Sequence, residues 1–140
     1  MKEIRVVRAI IHHDGKILLL KKAKDTLPYN KDKWEVPGGK IEEGEDIGET
    51  LKRELKEEIG LELGKDVMLE KQLKSCQGEA EGVRSFAEVF LLKAKTNQIT
   101  LSGEHSEYVW KMPEEIKNMD LVLFADLLLD YLKKLSEEIL

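Results

Sequence analysis

Between Asp46 and Gly60 the chain reads DIGETLKRELKEEIG, and this stretch constrains the fold more than any other. Ile47, Leu51, Leu55 and Ile59 recur every four residues, the apolar stripe of a helix lying on a core. Asp46 or Glu45 suits its start, because a short acid accepts from the first free N–H groups; Gly60 suits its end. Three acids, Glu54, Glu57 and Glu58, follow i, i+3, i+4 spacing and gather on one side of that helix. With Leu51 set to zero on a wheel turning about 100° per residue, the stripe spans roughly −40° to +80°. On the same wheel Glu58 falls near about −20°, inside the stripe, Glu54 near about −60°, at its border, and Glu57 near about −120°. An ordinary acidic run is a solvated helix face. A carboxylate facing the core is costly unless it is paired or binds a metal, and three clustered acids repel one another unless a cation relieves them. Carboxylate oxygens without His or Cys favour Mg²⁺, Mn²⁺ or Ca²⁺ over zinc.

Strand patterns surround this helix. Ile4 to His12 is rich in Val and Ile, Asp14-Gly15 is a hairpin signal, and Lys16 to Leu20 is the return strand. Lys21 to Lys33 reads as a loop. Trp34-Glu35-Val36 reads as a short strand ending at Pro37-Gly38-Gly39, where two glycines permit a sharp turn and close approach to a ligand. Met68 to Cys76 and Val83 to Ala94 suggest two more strands with a turn over Gln77 to Gly82, and Glu107 to Lys111 a last one. Pro113 begins a short helical turn, and Leu121 to Leu135 has the pattern of an amphipathic helix. Strands mixed with two substantial helices predict one α/β domain over residues 1–140, a sheet with helices on its two faces.

Composition narrows the partners. The net charge of −5 without a basic stripe argues against long nucleic acids, yet allows a small anionic substrate if a metal supplies positive charge. No apolar run reaches the roughly 20 residues of a membrane helix, and the first residues lack the pattern of a secretory signal. Cys76 is the single cysteine, so no internal disulfide forms; a cytoplasmic location is expected. His12, His13 and His105 have no ligand-like spacing and read as strand or loop residues.

Magnesium held by a few carboxylates is the usual partner of a phosphate substrate. Such an ion lowers the pKa of a bound water and neutralises charge on a phosphoryl oxygen, while a neighbouring Glu accepts the proton. Gly38 and Gly39 would let a backbone carbonyl reach the ion, and Lys40 would meet a phosphate.

Gly39-x5-Glu45-x7-Arg53-Glu54-Leu55-x-Glu57-Glu58-x-Gly60-Leu61 resembles the signature of the Nudix hydrolases at every defined position. Residue frequencies put a chance match on the order of one window in 10⁸. The flanking Trp34-Glu35-Val36-Pro37-Gly38 and the opening hairpin also look Nudix-like. The resemblance implies an α/β/α sandwich with a mixed β-sheet and a loop-helix-loop catalytic motif. It implies Mg²⁺-dependent hydrolysis, with Mn²⁺ as a substitute, of a nucleoside diphosphate linked to another moiety. By position, Glu54, Glu57 and Glu58 would be metal ligands, joined by the Gly39 carbonyl. Glu54 is also the candidate general base, Arg53 would orient the carboxylates, and Glu45 would secure the start of the motif or hold a metal through water.

Outside the signature, Lys21 to Asp25 and Trp34 to Glu42 resemble the MutT-like branch, which hydrolyses nucleoside triphosphates to a monophosphate and pyrophosphate. That branch places a phosphate-contacting basic residue near Lys22; this chain has Lys where Arg is usual and so lacks a bidentate grip. The branch also places a loop acid at the spacing of Glu104, with Glu107 as competitor, and an Asn that reads a purine near Asp126. Asp126 would accept from base N–H groups, a departure that weakens the case for an oxidised guanine. Hydrolases of ADP-ribose or dinucleoside polyphosphates are the alternatives, but the Pro or Tyr they often carry downstream of the signature is missing. A non-catalytic nucleotide-binding Nudix domain is a further alternative, though such proteins usually lose signature acids and this one keeps all of them. The expected partner is a small nucleotide, with no membrane, and the chain a monomer or homodimer.

Overall fold

The computed structural model describes residues 2–23, 31–80 and 82–122. The opening hairpin is β1 (Lys2–His13) and β2 (Lys16–Lys22), joined at Asp14 and Gly15 with φ of 51° and 78°. Positive φ at both central residues makes a turn whose twist matches the flanking strands, which is why Asp-Gly sits there. β3 (Trp34–Glu35) pairs antiparallel with β2. The two glycines that read as a turn instead begin β4 (Gly38–Lys40), antiparallel to β1 from Val6 to Arg8. β1 thus pairs with β2 at His12–His13 and with β4 at Val6–Arg8, and the sheet divides between them.

Helix α1 (Ile47–Ile59) occupies the expected span, with Asp46 as N-cap and Gly60 as C-cap. β5 (Val67–Gln72) and β6 (Cys76–Ala80) replace the single strand expected from Met68 to Cys76. Both pair antiparallel with β7 (Val83–Ala94), so Gln77 to Ala80 are strand rather than turn. The break was hidden because Leu73-Lys74-Ser75 between the strands carries no Gly or Pro, whereas Gly78 lies inside β6. β7 runs parallel to β1 from Lys2↔Val83 to His12↔Lys93 and makes the sheet mixed. β8 (His105–Lys111) begins two residues earlier than expected and pairs with β2. α2 (Pro113–Ile116) is the short turn that Pro113 signalled. Leu121 bridges to Trp34, so the helix expected from Leu121 does not start there; the rest of that segment lies outside the described residues.

The central strands are buried on both faces, which explains their unbroken runs of Val, Ile and Leu. Val7, Ala9, Ile11, Leu18 and Leu20 point to one side and meet Leu51, Leu55 and Ile59 of α1. Their alternates Val6, Ile10, Ile17 and Leu19 meet Val36, Leu91 and Ile116 on the other. The fold is a mixed-sheet α/β/α sandwich with α1 clamped onto one face, beside the division between β2 and β4.

Candidate active site

α1 is fastened at both ends. Asp46 accepts from the Glu49 N–H at 2.8 Å, complementing the free donors of the first turn. Gly60 adopts φ 70° and lets the Leu61 N–H return to the Leu55 carbonyl at 3.4 Å. The next free carbonyls of the helix accept from a later segment: Thr100 N–H donates to Ile59 at 3.1 Å and Ser102 N–H to Glu58 at 3.3 Å. That segment leads to Glu104, whose carbonyl accepts from the Ala23 N–H at 3.0 Å. The loop carrying Glu104 is therefore tied both to α1 and to the end of β2.

Arg53 organises the acids of the motif. Its Nε and Nη2 grip Glu45 at 2.7 and 2.9 Å, and Nη2 also donates to the Lys40 carbonyl at 3.1 Å. Nη1 reaches Glu54 at 2.8 Å and Glu57 at 3.3 Å. Glu45 further accepts from the Thr50 hydroxyl at 2.7 Å, and the hydrogen bonds from Arg53 and Thr50 hold its carboxyl at about 2. Both oxygens of Glu45 are thus engaged, tying the start of the motif to α1.

Glu58 is the buried acid that the helical wheel required. It is 6% exposed and accepts from the Gly38 N–H at 2.8 Å. Burial pushes its pKa up to about 7 in spite of that hydrogen bond. Burial also raises the Glu54 carboxyl, with Arg53 opposing. β4 comes so close that a Cβ on Gly39 would lie 2.2 Å from Glu54 Cδ. A methyl there displaces the carboxylate or the strand. Gly39→Ala is expected to lower kcat by about 10²-fold, as misplacement of a reacting group by an ångström does. Steady-state rates with circular dichroism as the folding control check it; an unchanged kcat contradicts the packing.

A cleft of about 510 Å³ gathers Gly39, Lys40, Arg53, Glu54, Glu57 and Glu58 from the motif, with Lys22 and Glu104 from outside it. Glu107, the competing acid, instead pairs with Lys21 at 3.2 Å and does not line the cleft. Asp126 lies outside the described residues. The cleft also holds Arg8, Glu35 and His105, none of which was singled out from the sequence for this site. Glu35 is buried and meets His105 Nε2 at 2.9 Å, Lys22 Nζ at 3.4 Å and Arg8 at 3.6 Å. Burial alone would raise its pKa; the His105 hydrogen bond and the charges of Arg8 and Lys22 outweigh that and hold it at about 2. The signal was present: Arg8 and Glu35 are single charges inside apolar strand runs, where a charge needs a partner.

The donor set fits a divalent cation. Glu54 and Glu58 are carboxylates whose neutral forms burial favours, and a cation beside them would restore the charged forms. Among the described residues, Glu58, Glu104 and His105 offer ligand atoms that all lie within 4.8 Å of one another. Glu54 and Glu57 each keep an oxygen on Arg53. The pH dependence follows from Glu58. Its folded pKa of about 7 lies above its ordinary 4.5, so the cation-free protein loses stability as pH rises through that window. Bound cation favours the ionised form, so the Tm increase from Mg²⁺ or Mn²⁺ is expected to be larger near pH ~8 than near pH ~6. Calorimetry at both values checks this, and a larger increase at the lower pH contradicts it.

The family model described as "NUDIX domain" matches residues 2–132. The nucleoside triphosphatase NudI of Escherichia coli (strain K12) is 28% identical over 132 residues, covering 86% of this chain and 90% of that protein. Among solved structures, the MutT protein from Methanosarcina mazei Go1 superposes with a TM-score of 0.81 at 28% identity, covering 98% of this chain and 95% of that one. The E. coli ORF135 protein superposes at 0.77 with 31% identity, covering 99% and 94%.

Proposed function

The chain belongs to the Nudix hydrolase family, and on that premise we propose that it hydrolyses a nucleoside or deoxynucleoside triphosphate to the monophosphate and pyrophosphate, with Mg²⁺ as its cofactor. The observation that carries this reading is the single cleft in which Glu54, Glu57 and Glu58 of α1 face Lys22, Lys40 and Glu104. Its likeness to a nucleoside triphosphatase over most of both chains supports the choice of triphosphate. A cytoplasmic setting goes with Cys76 as a free thiol.

Glu54, Glu57, Glu58 and the Gly39 carbonyl would hold the divalent ion. When bound, such an ion acidifies a water and neutralises charge building on a phosphoryl oxygen. Arg53 keeps Glu54 and Glu57 aimed by fixed hydrogen bonds, so little reorganisation remains for the reaction. Lys22 at the end of β2 and Lys40 at the end of β4 supply positive charge for the phosphates. Glu54, with its carboxyl raised by burial, takes the proton of the attacking water, and Glu104 stands in the same cleft, where it would approach the ion or act as base.

A panel of nucleotides with Mg²⁺, turned over in ¹⁸O-water with product identification, tests this. Monophosphate and pyrophosphate from a triphosphate are expected, and the labelled product identifies the phosphorus attacked. Tight nucleotide binding without turnover across the panel, with Mg²⁺ or Mn²⁺, contradicts it.

A further inference from the structure

The two ring nitrogens of His105 have different surroundings. Nε2 lies 2.9 Å from Glu35 Oε2, whereas Nδ1 is buried and has no hydrogen-bond partner. The side chain is 2% exposed, and Nδ1 is the one buried side-chain nitrogen or oxygen among the described residues left in this condition. An unsatisfied buried polar atom costs desolvation with nothing in return, which points to a ligand. Glu35 also meets Arg8 at 3.6 Å and Lys22 at 3.4 Å, so its carboxylate is fixed behind the ring. With Nε2 turned to that carboxylate, Nδ1 is the ring nitrogen left for a ligand. A carboxylate behind one nitrogen, with the other nitrogen free of protein partners, is how metal-binding histidines are arranged. His105 is also grouped with Glu58 and Glu104, all three ligand atoms lying within 4.8 Å of one another.

We propose that His105 is a nitrogen ligand, through Nδ1, of a divalent ion that it shares with Glu58 and Glu104, with Glu35 orienting the ring. The proposal rests on the metal-dependent reading above, and for the ion at Glu58 and Glu104 it favours Mn²⁺ over the Mg²⁺ named there. One imidazole with two carboxylates suits Mn²⁺ and later transition ions better than an all-oxygen site does, whereas Mg²⁺ prefers oxygen alone. The sequence concealed this because Glu58 and His105 are 47 positions apart by their numbers and meet only when β8 starts beside α1.

Electron spin-echo spectroscopy of the Mn²⁺-loaded full chain tests it, because directly bound nitrogen modulates the echo. The expected result is ¹⁴N modulation that changes to the ¹⁵N pattern when the protein is made with ¹⁵N-histidine and disappears in His105→Gln. The isotope arm needs no substitution, so it stands even if His105→Gln does not fold. His12 and His13 carry the label too, but they lie on Glu70 and the Ala94 carbonyl and do not line the cleft. Glu35→Gln is expected to weaken Mn²⁺ binding by about 10-fold or more, as loss of an orienting partner does. Bound Mn²⁺ without nitrogen modulation, or modulation that survives His105→Gln, overturns the role of His105 and leaves metal dependence standing. Failure of the chain to bind Mn²⁺ at all overturns both.

Discussion

Glu54→Gln is expected to lower kcat by about 10³-fold while the protein stays folded. Gln keeps the size of the side chain and an oxygen for Arg53 Nη1, which donates to Glu54 at 2.8 Å. What it removes is the negative charge and the capacity to take a proton. Burial already disfavours that charge in the cation-free protein, so the neutral amide is expected to leave Tm unchanged or raise it slightly. Activity and stability therefore move apart, as they do when a group is held against its own preference for function. Steady-state kinetics and thermal unfolding on one preparation check both halves. A parallel fall in Tm and kcat would make Glu54 a structural residue.

Arg53→Lys is the second large effect, expected to lower kcat by about 10²-fold even though the positive charge remains. One guanidinium joins Glu45, Glu54, Glu57 and the Lys40 carbonyl at 2.7 to 3.3 Å. A lysine ammonium is a point charge on a flexible stem and meets part of that set at most. Released acids repel one another, and the loop before α1 loses its hold through Glu45. Acid should reproduce part of this loosening. The Glu45 carboxyl sits at about 2 against an ordinary 4.5, so its contribution is complete above the ordinary value and disappears as pH falls towards the lower one. Wild-type kinetics in Arg53→Lys would remove Arg53 from the positioning role.

Much of this was legible before the structure, and the reasons are local. The span of α1 was readable because its caps and its four-residue stripe are short-range signals. The burial of Glu58 followed from the same geometry. Asp14-Gly15 specified its turn for the same reason. The errors concern what lies far apart in sequence. Gly38 and Gly39 read as a turn because glycine is permissive. They form a strand because β1 pairs with them and only a residue without a Cβ fits against Glu54. The break between β5 and β6 is imposed by pairing with β7, which no local pattern records. Glu35 read only as part of a short strand and His105 only as a strand or loop residue, because their meaning lies in each other and 70 positions separate them.

On the proposed function the acids of α1 serve a divalent ion and the hydrolysis of a nucleotide, rather than forming a charged helix face. Glu57 separates these most cleanly. Its side chain is 60% exposed and touches Arg53 at 3.3 Å, so the fold does not depend on it. The decisive measurement is kcat of Glu57→Gln relative to wild type on the best triphosphate at saturating Mg²⁺, with circular dichroism on the same samples. A fall of about 10²-fold or more with an unchanged spectrum is the outcome expected of a metal ligand. Full activity in that variant would return Glu57 to a solvated helix face and contradict its role in holding the ion.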